Sequence, residues 1–101
     1  MKRQRRPSPQ TRSVLAALSA DPSAWRYGYD LAKETGLASG TLYPLLMRLE
    51  RREFLTARWE LPNEGRKARH VYRLTASGLD YAAVSQRESV RPTGRLAVEG
   101  P

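Results

Sequence analysis

The segment "SGTLYPLLMRLERREFL", residues 39–55, places Ser39, Gly40, Thr41 and Tyr43 just ahead of Arg48 and Arg51. Its leucines, Leu42, Leu45, Leu46 and Leu49, recur at i, i+3, i+4 and i+7, one helical stripe facing a core. Opposite that stripe fall Gly40, Tyr43, Pro44, Met47, Arg48 and Arg51. Small and hydroxyl-bearing residues in the first turn of an exposed helix can approach and hydrogen-bond base edges. Arginine can grip guanine bidentately or hold phosphate, and phosphate contacts are the commoner use. The chemistry these residues offer is noncovalent recognition of a polyanion. For Tyr43 the competing reading is a half-buried aromatic packed on the preceding helix.

Catalytic chemistry has no comparable support. His70 is the single histidine, no cysteine is present, and no carboxylates cluster around either, so no metal set can be assembled. Ser39 and Ser77 lack a partner base, and no glycine-rich phosphate loop occurs. Neither an enzyme nor a cofactor is expected.

Composition points the same way as the helix. The 101 residues carry 18 Lys and Arg against 10 Asp and Glu, a net charge of +8, which attracts polyanions over long range and through counterion release. A chain of this length holds one domain with a moderate core. The lack of cysteine fits a reducing cytoplasm, and the apolar run Val14–Leu18 is too short to cross a membrane. A cytoplasmic chain without membrane contact is expected.

The elements that must position these residues follow from periodicity. Residues 1–10, with Lys2, Arg3, Arg5, Arg6 and two prolines, read as a disordered basic arm. A first helix is predicted over Thr11–Ala20, with Val14, Leu15 and Leu18 inward, and a second over Gly28–Thr35, closed by Gly36. The third begins at Ser39, its cap, since Pro44 is cheap only near a helix start. After Phe54 the period falls to two. "LTARWEL" puts Leu55, Ala57, Trp59 and Leu61 on one covered face, 62–68 form a polar loop, and "RHVYRLT" alternates again, giving a hairpin. Thr75 caps a fourth helix to about residue 90, its apolar face Leu79, Ala82, Ala83 and Gln86, widened by Tyr81 and Val84. Residues 91–101 read as a flexible tail. The predicted class is α+β, mostly α: a winged helix-turn-helix of three helices, a two-stranded hairpin wing and one C-terminal helix. The domain spans 11–75 and the C-terminal helix 76–90.

"YGYDLAKETGL", "GTLYPLLMRLERREFL" and "EGRKARHVYRLTASG", in that order, resemble the PadR family of bacterial transcriptional regulators from about Val14 to Tyr81. The resemblance implies double-stranded DNA binding by a dimeric repressor, the dimer built through N-terminal and C-terminal helices. It assigns Ser39, Gly40, Thr41, Tyr43, Pro44, Arg48 and Arg51 to the recognition helix. Arg66, Lys67 and Arg69 fall on the wing over 62–69, at the backbone or in the minor groove. Tyr27 and Lys33 on the second helix are expected to contact phosphate.

Three positions depart from the family pattern. Glycine is usual where Glu53 stands, and a left-handed non-glycine residue costs about 1 kcal/mol, so the helix is expected to run over 39–53. Ala38 replaces a common serine or threonine. The C-terminal helix, with about 14 residues against the long helix of many relatives, leaves dimer strength and any effector site open. Trp59 is expected in the strand core, and Trp25 either on the second helix or against a partner chain. Aromatics line an effector pore in some multidrug-responsive relatives, but the fourth helix has no tryptophan, so a small-molecule effector is unsupported. The alternative function is a winged-helix protein–protein module with only non-specific DNA affinity. An RNA-binding role would need exposed strand aromatics, which this reading does not place.

Overall fold

The computed structural model describes residues 7–61 and 67–99, with side chains as far as Arg87. Four helices and a small sheet follow in the order α1 (Pro9–Ser19), β1 (Arg26–Tyr27), α2 (Gly28–Thr35), α3 (Ser39–Arg51), β2 (Leu55–Glu60), β3 (Arg69–Leu74) and α4 (Ala76–Glu99). The architecture is a winged helix-turn-helix. Its core gathers Val14, Leu15 and Leu18 from α1, Leu31 from α2, Leu42, Leu45, Leu46 and Leu49 from α3, then Leu55, Tyr72, Leu74 and Ala82. The leucine stripe of α3 is wholly buried, as its spacing requires.

Several boundaries differ from the expected ones. Helix α1 starts at Pro9 because Ser8 caps it, its hydroxyl accepting from the Thr11 amide at 3.2 Å. The last residues of the expected arm are therefore helical, while 1–6 lie outside the described residues. The cap of α3 is Ala38, not Ser39, and no side chain assists it. Ser39 is instead the first helical residue, and Pro44 falls at the sixth position rather than in the first turn. Having no N–H, Pro44 leaves the Gly40 carbonyl without its usual helical partner.

The sheet has three strands, not two, in the order β1-β3-β2, all antiparallel. Two residues carry no readable alternation, so β1 has no sequence signal of its own. Arg26 fastens it, donating to the Ala17 carbonyl at 3.0 Å and pairing with Glu34. On β2 the covered face ends early: Leu55 is buried, but Trp59 is 63% exposed and Leu61 lies in solvent. The hairpin outruns the helical layer, so its inner face loses its cover.

Helix α3 stops at Arg51 rather than reaching 53, and Glu53 takes φ 68°, the left-handed region. Two bonds hold it there, Glu53 N–H to the Glu50 carbonyl and Phe54 N–H to the Leu49 carbonyl, each 2.9 Å. This is a Schellman closure, and it satisfies carbonyls that an extended helix end would leave free. Thr75 locks the corner from the other side. Its hydroxyl donates to the Glu53 carbonyl at 2.7 Å and accepts from the Gly78 amide at 3.0 Å, capping α4. Gly78 has no alternative residue here, because a Cβ would overlap the Phe54 carbonyl.

Helix α4 buries Gly78, Ala82 and Ser85, with Tyr81 half-buried, while Leu79, Ala83, Val84 and Gln86 face outward. The inner face is set by small residues that let the helix approach closely, not by the apolar count. The helix runs to Glu99, past the expected end at 90, and takes in most of the segment read as a tail. Pro92 forfeits one backbone bond, yet its φ suits a helix and does not bar continuation.

Candidate nucleic-acid interface

At 100° per residue, Gly40, Pro44, Met47 and Arg51 share about 60° of arc on α3, directly opposite the buried leucines. Thr41 and Arg48 flank this strip on one side, Tyr43 and Glu50 on the other. All of these side chains are exposed, and Gly40 has open space around it. No carboxylate forms an ion pair with Arg48 or Arg51 among the described residues.

Tyr43 leads from this strip towards the hairpin. Its ring lies over Gly28 at the start of α2, in the volume that a side chain there would occupy. Both readings of Tyr43 therefore hold: it packs on the second helix, and it remains 38% exposed. Beyond it opens a notch of about 490 Å³ lined by Tyr27, Gly28, Tyr29, Tyr43, Arg69 and His70. The notch lies where β1 ends and β3 runs on towards the wing with β2 as its one remaining neighbour. It brings α3, the start of α2 and the base of the hairpin to one surface.

Within that surface Tyr27 is already engaged. Its hydroxyl donates to a Glu60 carboxylate oxygen, and the Arg69 guanidinium covers its ring with 4.8 Å to the centroid. The Glu60 bond, then burial, hold the Tyr27 phenol above its ordinary ionisation range. Lys33 stands 5.3 Å over the exposed Tyr29 ring on the outer side of α2. Lys67 is exposed two residues before β3, and Arg66 lies outside the described residues. Arg48 is not part of the notch. It faces a second cleft of about 300 Å³ between α1, α3 and α4, with Pro7, Ser8, Thr11, Arg52 and Tyr81.

Some residues of this surface escaped the sequence reading. Tyr29 could have been found from its i, i+4 relation to Lys33 on an exposed helix face. Trp59, expected in the core, stacks on His70 with ring centroids 4.4 Å apart, and His70 Nδ1 meets the Tyr72 hydroxyl at 3.2 Å. It is a strand aromatic in solvent, contrary to expectation. Trp25 lies against the sheet, its ring 4.2 Å from Arg58 and 4.3 Å from Arg73. Arg58 and Arg73 share the outer face of the sheet with Arg69, by the register Thr56↔Arg73, Arg58↔Val71 and Glu60↔Arg69. Cation–π contact with tryptophan keeps those guanidinium groups in place.

Among the described residues no group of histidine, cysteine or carboxylate side chains could hold a metal, and no helix is long and apolar enough to cross a membrane. No curated protein sequence matches the chain significantly. Solved structures do. The transcriptional regulator PcaV from Streptomyces coelicolor, solved with its natural ligand, superposes with a TM-score of 0.77 at 24% identity, covering 97% of this chain and 66% of its own. The chain thus spans about two thirds of the length of PcaV. A PadR family transcription regulator from Clostridium difficile R20291 gives 0.73 at 20% identity, covering 90% and 99%. The protein smu.1704 from Streptococcus mutans UA159 gives 0.75 at 26%, covering 90% and 87%. The sequence profile of the transcriptional regulator PadR-like family matches residues 14–84, from the first core residue of α1 into α4. The chain belongs to the PadR-like family of transcriptional regulators.

Proposed function

We propose that the chain is a homodimeric repressor that reads double-stranded DNA with α3 in the major groove. The wing, residues 62–69, lies along the backbone or in the adjacent minor groove. The observation that carries this reading is the notch shared by Tyr43 of α3, Tyr27 and Tyr29 at the start of α2, and Arg69 and His70 at the base of the wing. A duplex seated on the exposed strip of α3 meets all three at once. Ser39, Gly40 and Thr41 then approach base edges from the first turn, and Arg51 lies further along the same strip. Arg48 reaches phosphate on the side away from the wing. Lys67 and Arg69 supply charge at the wing, with Arg66 assigned there from sequence, and Lys33 supplies it on α2.

Dimerisation falls to α4 together with α1. Leu79 and Val84 are about two-fifths exposed at opposite edges of the outward side of α4, and both are apolar side chains that a partner helix could cover. A two-fold dimer places two reading helices on half-sites about 10 base pairs apart. Enrichment from a random duplex pool tests the whole reading: the expected product is an inverted repeat with that spacing. A pool that stays random after repeated selection would refute it.

A further inference from the structure

The middle of the reading strip is apolar. Gly40 has no side chain, Pro44 offers neither donor nor acceptor from its ring, and Met47 is 55% exposed between Pro44 and Arg51. Folding does not account for Met47, since Leu42, Leu45, Leu46 and Leu49 supply the buried face and Met47 points away from it. A methionine is long, unbranched and polarizable, so it adapts to an irregular apolar contact. Gly40 and the flat Pro44 ring keep the helix surface low on its N-terminal side, which lets the thioether reach the floor of a groove. On the major-groove edge of B-DNA one feature favours an apolar side chain over water, the C5 methyl group of thymine.

We infer that Met47 is a specificity-determining residue that packs against a thymine methyl in each half-site. This rests on α3 lying in the major groove. The contact selects a T·A pair at one position without a hydrogen bond to either base. Thr41, Tyr43 and Arg51 around it supply the polar contacts. Replacing thymine by uracil removes the methyl and leaves every hydrogen-bonding group of the pair in place, so it isolates the contact.

The experiment uses the full chain and a duplex enriched from a random pool, with each thymine changed singly to uracil. At one position per half-site the wild-type chain is expected to bind about fourfold more weakly, the value of one buried methyl group. Met47→Ala is expected to bind the thymine duplex about as weakly as wild type binds the uracil one, and to ignore that exchange. Met47→Leu is expected to keep the sensitivity. Because Met47 is exposed, unchanged far-ultraviolet circular dichroism will show that both variants fold. A wild-type chain indifferent to every uracil, or a sensitive position that survives in Met47→Ala, overturns the inference while leaving α3 in the groove. If no duplex is enriched over a scrambled control, the placement of α3 itself fails and the inference falls with it.

Discussion

The Tyr43 ring occupies the space that a side chain at Gly28 would fill. The first residue of α2 therefore sets the orientation of a tyrosine on α3, and the two helices of the motif are keyed to each other at the surface proposed to meet DNA. Gly28→Ala forces the ring to move. It is expected to destabilise the domain by about 1–3 kcal/mol through overpacking and to weaken DNA binding with it. The double variant Gly28→Ala with Tyr43→Ala should recover most of the stability but not the affinity. Urea unfolding and a binding titration on all four chains of the cycle check this, and additive stabilities would contradict it.

Glu53 is a non-glycine residue at φ 68°. Glu53→Gly is expected to raise stability by up to about 0.5 kcal/mol, the left-handed cost less the extra freedom of an unfolded glycine. The urea midpoint should rise with an unchanged slope, and DNA affinity should stay as it is.

Thr75→Ala removes two bonds together, the one to the Glu53 carbonyl and the one from the Gly78 amide. A loss of about 1–2 kcal/mol is expected, at the upper end for a helix cap. Thr75→Ser keeps both bonds and should cost markedly less in the same unfolding assay.

At the wing, Arg69→Ala is expected to weaken binding to specific and scrambled duplexes alike and to make the salt slope shallower by about one unit. Thr41→Ala, at the first turn of α3, should instead cost about 1–3 kcal/mol on the specific duplex alone. Anisotropy titrations at several salt concentrations separate the two patterns, and the same pattern in both would remove the division of labour.

Alkaline pH gives an independent check on the sheet. A tyrosine in the unfolded chain ionises near pH 10. Tyr27 is held above that chiefly by its bond to Glu60, and Tyr72 chiefly by burial. Above pH 10 the folded chain thus binds more protons than the unfolded one, so the stability these groups contribute is complete below that pH and falls as pH rises through the raised values. Urea midpoints should drop from about pH 10 upward, and the drop should be smaller in Tyr27→Phe.

Much of this fold was legible in the sequence, for reasons visible at particular residues. The leucines of α3 repeat at the helical period over a full two turns, and burial follows directly. Gly36 closes α2 at φ 76°, a conformation for which glycine is suited. The alternation in β2 told which way Trp59 points, but not that the helical layer ends before reaching it. At Glu53 the family's usual glycine marked a left-handed position, but the residue itself argued for a longer helix, because the carbonyls that hold it left-handed belong to Leu49 and Glu50. On α4 the packing was set by how closely Gly78 and Ser85 let the helix approach, a property of small residues that apolar periodicity does not register. The candidate site was legible as a set of residue types. Its notch was not, since it depends on where a two-residue strand stops.

The most direct measurement is fluorescence anisotropy of the full chain on the duplex upstream of its own coding sequence, against a scrambled duplex of equal length, over a series of salt concentrations. Reading by α3 predicts tighter binding to the native duplex that persists at physiological salt. Equal binding to both, lost together as salt rises, would mean that the basic surface holds DNA without reading it, and would contradict the account.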